Sequence, residues 1–97
     1  MLQTKANVLD ARADAPFEIK LRSPGTAGYE WKADFDHVAF SLVSRRRVSN
    51  MKRMGASAVE VFRFRPLSQG KHEIRFLLLR PWEDEPVEQA KYAVRIT

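Results

Sequence analysis

Apolar and polar residues alternate with a period of two along most of this chain. Phe17, Ile19 and Leu21 are separated by Glu18 and Lys20, and Tyr29, Trp31, Ala33 and Phe35 by Glu30, Lys32 and Asp34. The same alternation joins Val38, Phe40 and Leu42, then Ile74, Phe76 and Leu78, then Ala90, Tyr92, Val94 and Ile96. Side chains on a strand point alternately to its two faces, so each run predicts a strand of about five to eight residues with one wet face. Val59 to Phe64 breaks phase, because Val59 and Val61 share one parity while Phe62 and Phe64 share the other. A bulge near Val61 or burial on both faces would account for it.

Turn residues fall between the runs at Ser23-Pro24-Gly25, Pro66 to Gly70 and Pro81 to Pro86. With a short opening strand around Val8 and Leu9, the pattern predicts an all-β antiparallel sandwich of about seven strands. Helical periodicity is nearly absent. The stretch Val43 to Met54 is its weak exception, and its few apolar positions and scattered charges favour a strand end followed by a mobile basic loop.

Composition fits that picture and narrows it. The chain has 97 residues, 44% hydrophobic and 30% charged, which suits one domain spanning residues 1–97. About 65% of the accessible surface of an unfolded chain this size disappears on folding, enough for a core without metal or disulfide staples. There is no cysteine, which argues against a cystine-stapled secreted scaffold. No apolar run approaches the roughly eighteen residues that span a bilayer, and the first residues do not resemble a signal peptide. The compartment stays open, since a mature exported chain would look the same.

The net charge of +5 is unevenly placed. Arg45, Arg46, Arg47, Lys52 and Arg53 contribute five positive charges with no acid among them, while Glu83, Asp84, Glu85 and Glu88 form an acidic counterpart. Such runs are usually solvated. A nucleic-acid or other anion-binding role for the basic run is the minor alternative, weakened because no aromatic residue interleaves it.

Candidate chemistry is sparse. Without cysteine there is no thiol nucleophile, and zinc sites normally need three or four ligands from Cys, His and carboxylates. His37 and His72 both lie in strand patterns, where a structural role is expected, and no Gly-x-Ser-x-Gly elbow is present. Neither enzyme activity nor a cofactor is expected. Gly25-Thr26-Ala27-Gly28 has the outward form of a phosphate cradle, but it leads into the strand pattern of Tyr29-Glu30-Trp31 rather than into a helix. Arg80-Pro81-Trp82 is more informative because it ends an apolar strand and begins an acidic turn. By itself a Trp at a strand end is expected to fold back onto the core; as a loop tip held by Pro81 it would instead be a rigid anchor beside an Arg, both residue types enriched in binding hot spots.

Three separated segments together resemble the chagasin-like inhibitors of papain-family cysteine peptidases. That family carries Asn-Pro-Thr-Thr-Gly-(Tyr/Phe)-x-Trp, then Gly-x-x-Gly-x-x-x-Phe, then Arg-Pro-(Trp/Phe). Here the corresponding segments are Pro24-Gly25-Thr26-Ala27-Gly28-Tyr29-Glu30-Trp31, Gly55-Ala56-Ser57-Ala58-Val59-Glu60-Val61-Phe62 and Arg80-Pro81-Trp82-Glu83. Thr26, Gly28, Tyr29, Trp31, Gly55 and Phe62 match, and the third segment matches throughout. Pro24-Gly25 replaces Asn-Pro, Ala27 replaces the second Thr and Ala58 the later Gly; these departures bear on target choice and potency more than on fold.

The resemblance implies an immunoglobulin-like sandwich that presents three loops at one end and inhibits papain-like peptidases reversibly and competitively. A papain-like cleft cleaves whatever places a carbonyl carbon at attack distance in line with oxyanion donors. A rigid turn with its carbonyls aimed elsewhere blocks the cleft without being cut. The implied contact residues are Gly25, Thr26, Ala27 and Gly28 over the catalytic thiol, with Gly55, Ala56, Ser57 and Ala58 beside it in the substrate groove. Arg80, Pro81 and Trp82 would lie against the cleft wall. Tyr29, Trp31 and Phe62 match the motifs, yet their alternation assigns them to the core beneath the loops. The expected partner is a papain-like peptidase, with no small-molecule substrate, no membrane and a monomeric inhibitor. The alternative is an interaction module of the same ancestry that docks another protein through the same loops.

Overall fold

The structure, a computed structural model, describes residues 3–23, 28–49 and 58–97. Seven strands follow in order: β1 (Gln3–Ala11), β2 (Phe17–Ser23), β3 (Glu30–Phe35), β4 (Phe40–Ser49), β5 (Ala58–Pro66), β6 (Gly70–Leu79) and β7 (Glu88–Ile96). They form a four-stranded sheet in the order β1-β7-β6-β3 and a three-stranded sheet in the order β2-β5-β4. The predicted sandwich is present. All pairs are antiparallel except β1 with β7, which run parallel with Gln3 beside Glu88 and Ala11 beside Ile96.

The alternation translates directly into two layers. Ile19 and Leu21 of β2, Phe62 and Phe64 of β5, Ile74, Phe76 and Leu78 of β6, and Val94 and Ile96 of β7 are buried between the sheets. Burying an aliphatic or aromatic side chain of this kind is favourable by about 1.5–3 kcal/mol, which is what holds two sheets face to face. The end of the sandwich away from the first and third motif segments is aromatic. Phe64 packs edge-on against Phe35, Phe40 and Phe76, with centroids 5.2 to 6.2 Å apart, and stacks on Phe17 at 5.7 Å.

Two local expectations are corrected and two are narrowed. Val38 is not in a strand: Asp36 accepts the Val38 amide on its side chain at 2.9 Å, and its carbonyl accepts from Ala39 and Phe40 at 3.0 Å. An Asx-type turn of this kind competes locally with the ladder, so β4 starts at Phe40 and Val38 is 75% exposed. His37 shares that turn, its ring 4.6 Å from that of Phe35, whereas His72 does lie in β6. Of the two readings of Val59 to Phe64, a bulge is not found there, since β5 pairs regularly with β2 and the register shift lies in β4 between Leu42 and Ser44. β5 instead buries both parities, with Val61 flanked in register by Lys20 and Arg46, whose aliphatic stems suit such cover. Lastly, the strand end expected within Val43 to Met54 runs to Ser49 and includes Arg45 to Arg47; residues 50–57, where the basic loop is expected, lie outside the described residues.

Candidate functional site

Strand pairing brings the ends of β2, β3, β5 and β6 together at one pole. Ser23 pairs with Ala58, and Glu30 with Leu79, so the stems of all three motif segments meet there. Of the predicted contact residues, Gly28, Ala58, Arg80, Pro81 and Trp82 are described; Gly25, Thr26, Ala27, Gly55, Ala56 and Ser57 lie outside the described residues.

The Arg80–Glu83 turn is built as its sequence suggests. The Glu83 amide donates to the Arg80 carbonyl at 3.0 Å, with Pro81 in the position where a fixed φ favours such a turn. The Arg80 guanidinium pairs with the Glu83 carboxylate and lies 4.9 Å from the Tyr29 ring centroid and 5.5 Å from that of Trp82. A half-buried Arg between two rings is held by its plane as well as its charge. Trp82 is 72% exposed, so the ring is offered to solvent rather than folded into the core.

Gly28 completes the contact between the first and third segments. Its φ is +75°, a left-handed conformation that favours glycine. A Cβ at Gly28 would come within 3.4 Å of Cη2 of Trp82, so the bare backbone seats the rim of the indole. Ala58 is buried at the start of β5 and supports the pole from inside.

Beneath this surface lie residues that the pattern assigned to the core. Trp31 is 1% exposed and Phe62 equally buried, as expected, and Tyr29 is partly buried against the core. The Trp31 indole N–H donates to the Arg22 carbonyl at 3.0 Å, and its backbone N–H donates to Oε2 of Glu60 at 3.0 Å. Glu60 is a buried carboxylate whose second oxygen accepts from Arg45 at 2.7 Å. Arg45 also lies 5.4 Å from the Phe62 centroid and 3.7 Å from Glu30. Sequence reasoning missed this cluster. The signal available was an acid at an inward parity of β5, Glu60 standing between Ala58 and Phe62, opposite a run of arginines.

The basic run is thereby divided. Arg45 turns toward Glu60, and Arg46 faces outward with Glu18 at 3.8 Å. Among the described residues no group of three His or acidic side chains is placed to hold a metal, and no helix is long and apolar enough to cross a membrane.

The fold has solved counterparts. A cysteine protease inhibitor from Entamoeba histolytica, EhICP2, superimposes with a TM-score of 0.81 at 24% identity, covering 99% of this chain and 96% of that one. PbICP-C, solved in complex with falcipain-2, gives 0.74 at 13% identity over 99% and 91%. The solution structure of Amebosin gives 0.74 at 16% over 98% of each chain. No curated protein matches the sequence. The sequence profile of the chagasin family peptidase inhibitors (I42) matches residues 10–96, and the chain therefore belongs to that family.

Proposed function

We propose that this chain, as a single domain of residues 1–97, is a reversible competitive inhibitor of papain-like cysteine peptidases and acts through the pole that carries Gly28, Ala58 and Arg80–Trp82. The observation that carries the reading is the family match over residues 10–96, which makes the chain a peptidase inhibitor and not an enzyme. The target class follows from the solved relatives, one described as a cysteine protease inhibitor and one held in complex with falcipain-2.

The site geometry supports the same reading in physical terms. Trp82 presents a largely exposed aromatic face, with Gly28 behind it and Arg80 beside it to restrict the ring. A ring held in place loses little freedom on binding, so its contact area contributes to affinity rather than to ordering. Gly25, Thr26 and Ala27 precede that seat directly and would enter the cleft, with Gly55, Ala56 and Ser57 leading to Ala58 on its other side. Resistance to cleavage would come from a turn whose carbonyls miss the oxyanion donors.

Titration of active papain with the purified protein tests the reading. Raised apparent KM with unchanged kcat, recovery of activity on dilution and recovery of uncut inhibitor are the expected results. Peptidase unaffected by micromolar folded protein would favour the interaction-module alternative instead.

A further inference from the structure

We propose that Glu60 is a positioning residue for inhibition, setting the placement of the described stems of the contact segments relative to one another; this rests on the inhibitor reading above. Glu60 is not itself one of the implied contact residues. It is 1% exposed, in β5 of the three-stranded sheet, and it is the only buried carboxylate among the described residues. A carboxylate so placed is costly unless its oxygens are satisfied, and here each has a donor. Oε2 accepts the Trp31 amide at 3.0 Å, and Oε1 accepts from Arg45 at 2.7 Å.

Each of those bonds fixes a different stem. β3 lies at the edge of the four-stranded sheet, and the Trp31 amide leaves that sheet to reach Glu60 in the other. Three residues before Trp31 is Gly28, on which Trp82 is seated, and two before it is Tyr29, on which the Arg80 guanidinium rests. Two residues before Glu60 is Ala58, where the second segment joins β5. Arg45 ties in β4, whose far end Ser49 pairs with Ala58 across the second segment. One carboxylate thus links the second segment's stem to the first, and through Tyr29 and Gly28 to the third. The arginine that the sequence grouped with a solvated basic run is the counter-ion of this link.

Three variants test it: Glu60→Leu removes both acceptors, Glu60→Gln keeps an acceptor for the Trp31 amide, and Ile74→Val perturbs the core at the other end of β3, where Ile74 pairs with Phe35. Papain inhibition is read alongside the nuclear Overhauser contact between the Trp82 ring and Gly28, and the exchange rate of the Trp31 amide. Glu60→Leu should weaken inhibition by about tenfold or more, lose the Trp82–Gly28 contact and expose the Trp31 amide to exchange. Glu60→Gln should retain the contact and most of the inhibition, and Ile74→Val should leave both intact. If Glu60→Leu fails to fold, Arg45→Met takes its place: unlike the neutral Glu60→Gln, it leaves the buried Glu60 carboxylate charged and without its counter-ion, and it should loosen the same contact. Unchanged inhibition and an intact contact in Glu60→Leu, or equal weakening by Ile74→Val, would overturn the proposal. If the wild-type protein does not inhibit papain, the inhibitor reading fails, and the ring contact and amide exchange still decide whether Glu60 positions the segments.

Discussion

The indole N–H of Trp31 in one sheet donates to the backbone carbonyl of Arg22 in the other, at 3.0 Å. The ring therefore supplies core volume and also satisfies a carbonyl one residue short of the end of β2. Trp31→Ala should destabilise the fold by about 3–5 kcal/mol, the usual cost of truncating a buried aromatic. Trp31→Phe should recover part of that and leave the Arg22 carbonyl without its donor, at a residual cost of about 1–3 kcal/mol. Denaturant unfolding of the three proteins gives the order directly.

Trp82→Ala should behave in the opposite way. With the ring 72% exposed, little core area is lost and stability should change by less than in Trp31→Ala. Binding to a papain-like peptidase should weaken by about 2 kcal/mol or more, the scale of an aromatic interface anchor. Comparing unfolding midpoints with inhibition constants separates the two effects.

Gly28→Ala strains the backbone, because alanine at φ +75° costs about 1–2 kcal/mol. The new methyl would stand in ordinary contact with the Trp82 ring, at 3.4 Å, so any shift of that backbone is passed to the ring. A modest fall in stability should accompany a larger fall in inhibition. Equal inhibition by wild type and variant would show that the ring does not need its seat.

Tyr92 carries the pH prediction. Burial against the core, with the Phe76 ring edge-on at 5.6 Å, disfavours the phenolate and raises the Tyr92 pKa above the ordinary tyrosine value of 10.0. The unfolded chain then releases its proton first as pH rises. The stabilisation is present below the unfolded pKa and is lost between that value and the raised folded one. Tyr92→Phe should remove this part of the alkaline loss of stability, as followed by unfolding at a series of alkaline pH values.

How much of this was legible without coordinates depends on what fixed each feature. Trp31, Phe62 and Phe76 were readable as core because a period of two needs only local sequence, and Arg80-Pro81-Trp82 was readable as a turn because proline sets its own backbone. Val38 was misplaced because the Asp36 side chain offers the chain a local hydrogen bond that hydrophobic alternation cannot register. The parallel pairing of β1 with β7 and the Glu60 link join residues far apart in sequence, and no local pattern encodes either. Arg45, Arg46 and Arg47 read as one charged segment, but a strand sends neighbours to opposite faces, so a single composition signal became separate interactions.

The displaced register between Leu42 and Ser44 also affects how the molecule behaves in concentrated solution. β4 borders the three-stranded sheet, and a straight ten-residue border is a template on which a second molecule can grow a continuous ladder. A bulge between Leu42 and Ser44 twists the strand partway along. Two molecules meeting border to border would find their hydrogen-bonding groups out of step. Such an interruption works against filament growth, and because it is geometric rather than electrostatic it persists at any ionic strength.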